Sequence, residues 1–307
     1  MAKEVIDKDL PKVANLCREV LGESFIQIWR LGGNTNRTYH VVLGDENEYV
    51  IRIPGEGTEE LIVRKNENVS TALANKLNID ARLLHFGEDG AKVSEYIMGA
   101  ITMFPGELQK ESRIVQMTEL LKRLHTCGED TGIYFEVFDM AAGYERIITE
   151  NEVPMYNDYL QIKSTVMDIK KEVDAVCEII RVPCHNDALC ENWVVDGNGR
   201  MYLIDWEYAG MNDAMWDLAD VSIEAGYNSE TDEKLLHCYF DGVVTDSIRK
   251  HFLASKIYVD YLWTLWAKAR VPYDGQPMED WAVERYIRLK KNIEEYFKYK
   301  SEEELSL

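Results

Sequence analysis

The sequence predicts an α+β chain in two lobes: a small N-terminal lobe with an antiparallel sheet (residues 1–98) and a larger, mostly helical C-terminal lobe (residues 99–307). Three observations predict it. Strand-like segments rich in Ile, Val and Tyr crowd the first hundred residues, separated by short Gly, Asn and Asp turns. Beyond Ile97 the apolar spacing changes to the helical three-and-four pattern. A chain of 307 residues also exceeds what one typical core fills comfortably, which favours two units.

Each element follows from its local pattern. The first twenty residues predict a short amphipathic helix with Leu10, Val13, Leu16 and Cys17 on one side. FIQIWRL, RTYHVVL and EYVIRIP read as three strands joined by GGNTN and GDEN. A helix is expected from about Glu59 to Leu77, then ARLLHFG and AKVSEYI as a strand pair around EDG. Ile162, Val166, Ile169, Val173, Val176 and Ile180 recur at helical spacing and predict one buried stripe. Pro183 interrupts that pattern, and WVVDGNGRMYLID then reads as a hairpin turning at Asp196 to Gly199. The chain finishes in helices carrying YLWTLW and WAVERYIRLKKNI, with no internal repeat and no long linker.

Composition excludes several classes. With 34 basic against 55 acidic residues the net charge is -21, a surface that repels nucleic acid and anionic membranes and draws cations inward. No apolar run approaches the roughly 18 residues that a membrane span requires. The six cysteines form no CxxC pair, and MAKEVIDKDL carries no secretory pattern, so reduced thiols and a cytoplasmic location are expected.

The chemistry concentrates in CHNDALCENWVVDGNGRMYLIDWEY, residues 184–208, where polar side chains sit beside strongly apolar runs. Such groups are costly to bury without partners. A calcium loop at Asp196 to Arg200 fails, because it lacks the third ligand and the terminal Glu; a solvated turn is the better reading there. Asp187, Asn192 and Asp205 form a different pattern: a carboxylate, an amide five residues on, and a second carboxylate across a hairpin. Phosphoryl transfer needs one group to orient the attacking hydroxyl and oxygen ligands for magnesium beside the phosphates. Asp187 fits the first role; Asn192 and Asp205 fit the second.

HNDxxxxN followed by LIDWEY closely resembles the catalytic segments of the choline kinase family, particularly the bacterial members, which share a protein-kinase-like fold with aminoglycoside phosphotransferases. The likeness runs from LGGNTNRTYHV to the final helices. It implies ATP and Mg2+ as cofactors and choline as the small-molecule partner. It also implies roles, each with a plainer alternative. His185 would brace the catalytic loop, although a buried His is more often simply hydrogen-bonded core. Arg52 in YVIRIP would meet the nucleotide phosphates, paired with Glu67, with Glu59 and Glu60 as competitors. Asn34, Thr35 and Asn36 of GGNTN would cover the phosphates; taken alone they make a hairpin turn without the GxGxxG of protein kinases. In SEYI, backbone groups of Glu95 and Ile97, flanking Tyr96, would bond the adenine. Asp205 is followed by Trp206 and Glu207 instead of Phe-Gly, in keeping with small-molecule kinases, and Ala188 is smaller than the family pattern leads one to expect.

The acceptor side rests on Trp263 and Trp266, three apart on neighbouring positions of one helix face, with Tyr286 on the next helix. Paired Trp in a helix are more often core packing. The resemblance makes them the wall of a choline pocket, with Glu207, Glu224 and Tyr227 nearby. A quaternary ammonium donates no ordinary hydrogen bonds, so aromatic faces and negative charge are the physical means of holding it. The alternatives are a kinase for ethanolamine, thiamine or an aminoglycoside, or a non-catalytic binding protein on a kinase scaffold. Pure binding has no need of a hydroxyl-orienting Asp, which speaks against the last.

Overall fold

The computed structural model describes residues 8–32, 36–55 and 62–306. In chain order the elements are α1 (Leu10–Leu16), β1 (Gln27–Arg30), β2 (Arg37–Val42), β3 (Glu48–Ile53), α2 (Arg64–Lys76), β4 (Leu83–Phe86), β5 (Lys92–Glu95) and β6 (Ile101–Thr102). There follow α3 (Pro105–Leu108), α4 (Glu111–His125), α5 (Val137–Glu150), α6 (Tyr159–Val176), β7 (Arg181–Cys184), β8 (Trp193–Val195), β9 (Met201–Leu203) and β10 (Gly210–Asp213). Four helices close the chain: α7 (Ala214–Glu224), α8 (Ser229–Tyr239), α9 (Asp246–Asp274) and α10 (Gln276–Ser306). They divide into two compact units, Met1–Met103 with Glu191–Gly210, and Phe104–Cys190 with Met211–Leu307. This is an α+β fold with an antiparallel sheet in its N-terminal part and helices beyond, as expected.

In the first unit five strands pair in the order β1-β2-β3-β5-β4, every neighbour antiparallel. Alternation decides which face is buried. Tyr39 and Val41 of β2, Ile51 and Ile53 of β3, and Val93 of β5 point to one side, where Val13, Leu16 and Cys17 cover them. The first helix continues past α1 as a π-turn over Cys17–Leu21, and Gly22 ends it in the left-handed region at φ 87°. The β8–β9 hairpin joins this unit beside β6, with Asp196 and Arg200 closing its turn.

The second unit is helical. α9 and α10 pack along each other, and α10 buries Ala282, Arg285, Tyr286, Leu289, Asn292, Ile293 and Tyr296, a stripe at helical spacing. Side-chain caps begin three helices: Asp213 accepts Met215 N, Asn228 accepts Thr231 N, and Thr245 accepts Ile248 N. The stripe expected over 162–180 is cut short. Val166, Ile169 and Val173 are buried, but Cys177 turns extended and ends α6, leaving Val176 and Ile180 exposed. The helix expected from Glu59 is described only from Arg64, and Glu59 and Glu60 lie outside the described residues.

Candidate active site

In the first unit two arginines and three carboxylates form one network, buried except at Asp205. Arg52, on β3, pairs with Glu67 of α2, stands 3.3 Å from Asp205 Oδ1, and donates to the carbonyl of Gly90 at 3.2 Å. Arg64, opening α2, reaches Glu67 at 2.7 Å and Glu207 at 2.5 Å. Asn36 Nδ2 donates to Glu207 Oε1 at 2.8 Å. Gly90 is required at its place: its φ is +82°, and an added Cβ would come 2.4 Å from Arg64 Cδ. Burial acts to lower the pKa of the Arg52 guanidinium, but the Glu67, Asp205 and Glu207 charges outweigh it and raise it.

Carboxylate oxygens of Glu67, Asp205 and Glu207 lie within 4.8 Å of one another, an all-oxygen set suited to a hard cation. Exposure ranks them: the Asp205 side chain is 36% accessible, those of Glu207 and Glu67 are 4% and 0%. Asp205 is therefore the carboxylate that can take a new ligand without breaking an ion pair buried on both sides. It also sits in the left-handed region at φ 70°, uncommon for a residue with a side chain. Asn192, expected beside it, ends the short 3₁₀ turn Cys190–Asn192, and its carbonyl accepts Ile204 N at 2.9 Å, one residue before Asp205. Glu207, expected at the acceptor, is instead held by Asn36, Arg52 and Arg64.

The other residues expected at the nucleotide are Asn34, Thr35, Glu95, Tyr96 and Ile97. Asn34 and Thr35 lie outside the described residues. The amides of Glu95 and Tyr96 are spent within the unit, on Arg82 O and Glu48 O, and the Ile97 carbonyl accepts Ala100 N. The Glu95 side chain pairs with Arg82, and the Tyr96 ring stacks on His40 at 3.9 Å.

In the second unit the chain leaves β7 into His185, Asn186 and Asp187. Helix α7 fixes this loop through two carboxylates absent from the sequence-based expectation. Asp217, fully buried, accepts the backbone amides of His185 and Asn186, each at 2.8 Å, and His125 Nε2 at 3.0 Å. Asp220 accepts the amide of Ala188 at 2.5 Å. Asn186 is left-handed at φ 67°, with its carbonyl bonded to Trp216 Nε1 and its side chain to Asn212. His185, Asn186 and Ala188 are all buried, whereas Asp187 between them keeps partial exposure. Burial raises the pKa of Asp217, but bonding to His125 and the loop amides prevails and lowers it. Asp220 moves the other way, raised well above the ordinary value by burial and by the charges of Glu224 and Asp187.

Aromatic rings form a chain in the same unit. Trp263 meets Trp266 edge-to-face at 6.2 Å, and Trp266 meets Trp281 at 5.7 Å. The Arg285 guanidinium lies 3.9 Å over the Trp281 ring and pairs with Glu224, so the expected Glu224 joins the tryptophans through two residues sequence reading missed. Trp281 and Arg285 are four apart on α10, a spacing that could have flagged them. Tyr286 belongs to a different stack, on Tyr156 at 4.0 Å, with its hydroxyl donating to Asp158. Tyr227 is buried and its hydroxyl donates to Leu108 O at 2.6 Å.

Comparison with known proteins gives a consistent result. The family model for choline/ethanolamine kinase matches residues 28–297. Protein LicA of Haemophilus influenzae is 29% identical over 276 residues, covering 86% of this chain and 79% of that protein. Among solved structures, a choline/ethanolamine kinase family protein from Mesorhizobium loti superposes with TM-score 0.83 at 30% identity, covering 94% of this chain and 96% of its own. Choline kinase LicA from Streptococcus pneumoniae superposes with TM-score 0.81 at 30% identity, covering 93% and 99%. Among the described residues no helix is long and apolar enough to cross a membrane.

Proposed function

The chain belongs to the choline/ethanolamine kinase family, and from that premise we propose that it transfers the γ-phosphoryl group of ATP to the hydroxyl of choline, giving phosphocholine and ADP. The observation that carries the catalytic part is the loop at Asp187. Three amides around it are bonded by Asp217 and Asp220, so the partly exposed Asp187 is held on a rigid backbone. Asp187 orients the acceptor hydroxyl and takes its proton as the oxygen bonds to phosphorus and the bond to ADP breaks. Arg52, oriented by Glu67, meets the nucleotide phosphates, and Arg64 and Glu207 support it. This moves Glu207 from the acceptor to the nucleotide side. Asn192 and Asp205 are the residues that would hold Mg2+, which when bound neutralises charge developing on the phosphates. In this reading residues 1–98 are the nucleotide lobe, 99–307 supply the catalytic loop and the acceptor, and the enzyme works in the cytoplasm.

Choline is preferred over other acceptors because of the tryptophan chain beside Glu224. A trimethylammonium is weakly hydrated, so aromatic faces replace its lost water at little cost. Ethanolamine, thiamine and aminoglycosides remain the rival acceptors within the same chemistry. The deciding experiment measures ADP release with choline, ethanolamine, thiamine and kanamycin. The expected result is a kcat/KM for choline at least tenfold above the others; a higher value for any of them reassigns the acceptor.

A further inference from the structure

Arg285 places a cation of the protein itself among the acid and aromatic groups of the acceptor region. Its side chain is 3% exposed. The guanidinium pairs with Glu224, stands 3.5 Å from Asp260 Oδ1, and covers the Trp281 ring at 3.9 Å. Asp260 is saturated: Arg288 donates to both of its oxygens at 2.7–3.1 Å and Asn292 Nδ2 donates at 3.0 Å. The carboxylates near the tryptophan chain are thus already engaged by donors of the chain.

The polar atoms left over point the same way. Arg285 Nε and Trp266 Nε1 are buried and have no acceptor among the described residues, so the cluster carries spare donors. Asp220 Oδ1 is also without a partner, but its carboxyl is pushed toward the neutral, proton-donating form by burial and by Glu224 and Asp187. A primary ammonium entering here would bring three N–H donors to a place where the Asp260 oxygens are taken and Glu224 is already paired with Arg285. A quaternary ammonium brings none. It loses only weakly held water and gains the ring faces.

We propose that Arg285 is a specificity-determining residue for the acceptor: by pairing with Glu224, beside an Asp260 that Arg288 and Asn292 already saturate, it takes up the acid next to the ring faces, and so selects ammonium groups that lack N–H donors. This rests on the acceptor site assigned above. A lysine in its place would keep the charge but lose the planar fork that reaches two carboxylates at once.

The test compares kcat/KM for choline and for ethanolamine in the wild type, Arg285→Ala and Arg285→Lys, with the KM for ATP as an internal reference. In Arg285→Ala the choline-to-ethanolamine ratio is expected to fall at least tenfold, through a lower KM for ethanolamine, while the ATP KM changes little. Arg285→Lys shifts the ratio in the same direction by less, and it decides the question if the alanine variant does not fold. An unchanged or increased ratio, or a loss shared equally by both acceptors, overturns the proposal. A wild type that fails to use choline overturns the acceptor site itself. Normal choline turnover with an unmoved ratio removes only the role of Arg285.

Discussion

The buried carboxylate of Asp217 accepts the backbone amide of His185 at 2.8 Å, tying the loop that carries Asp187 to helix α7. Its other oxygen takes the amide of Asn186, so both oxygens act as acceptors at once. Asparagine at this position would turn an NH2 toward one of those N–H groups. Asp217→Asn should therefore destabilise the fold by about 1–3 kcal/mol, the usual cost of stranding a buried donor. It should also lower kcat by on the order of 100-fold, as a misplacement near 1 Å does, with a smaller change in either KM. Urea titration and steady-state kinetics on one preparation read both effects.

Asp220 supplies a pH signature. Its folded-state pKa is raised well above the ordinary 3.8, so the folded chain holds that proton more tightly than the unfolded one. The resulting stability is fully present below the unfolded pKa and is lost as pH rises through the folded value. Asp220→Asn keeps an oxygen for the amide of Ala188 and has no proton to lose. Relative to wild type, the variant should gain stability as pH rises from 4 to 8. Urea midpoints at the two ends check it; a constant difference would show that Asp220 ionises normally.

Arg52 and Glu67 are a buried pair, with side chains 6% and 0% exposed. Removing one charge leaves the other uncompensated, which typically costs about 3–5 kcal/mol. Arg52→Met should lose that much and raise the ATP KM more than tenfold. Arg52→Met with Glu67→Leu should recover much of the stability and none of the ATP affinity. Recovery of both would mean that Arg52 is structural and does not meet the nucleotide.

What the sequence reveals here depends on whether the signal is local. The sheet was legible because Tyr39, Val41, Ile51 and Ile53 alternate, and only one pairing register buries them together. Asp187, Asn192 and Asp205 were legible because they lie within one short stretch. Asp217 and Asp220 were not, since each bonds backbone some 30 positions away and amides leave no mark on residue type. Glu207 was placed at the acceptor by family resemblance, and its partner Arg64 stands 143 positions away, where sequence spacing carries no signal. Val176 ends the helix with its side chain exposed, and Ile180 kept the helical spacing after the chain had left the helix at Cys177, where periodicity alone has no stop signal. Strands of two to four residues such as β6 and β10 are too short to show any period.

Asp187→Asn should retain ATP binding while losing about 100- to 10,000-fold in rate, the usual worth of a positioned general base. Calorimetry of ATP binding beside the kinetics separates the outcomes. A collapse of nucleotide affinity together with the rate would make Asp187 a structural residue or a metal ligand.

The tryptophans divide by burial, and the division sets a different expectation for each. Trp263 is 4% exposed and packs on Phe135 at 6.4 Å as well as on Trp266, so part of its worth is to the core. Removing a buried indole costs about 3–5 kcal/mol in stability, which makes Trp263→Phe the informative change there. Trp266 is less buried and stands between Trp263 and Trp281, meeting each ring edge-to-face. One desolvated cation–π contact contributes about 2 kcal/mol, and about 1.4 kcal/mol is tenfold in affinity. Trp266→Ala should therefore raise the choline KM by more than tenfold, with the ATP KM unmoved and the urea midpoint only modestly lower. Trp263→Phe, keeping an aromatic face of smaller area, should raise it by less. If both variants fold with wild-type choline kinetics, the three tryptophans are core packing, and the acceptor reverts to an unspecified small alcohol.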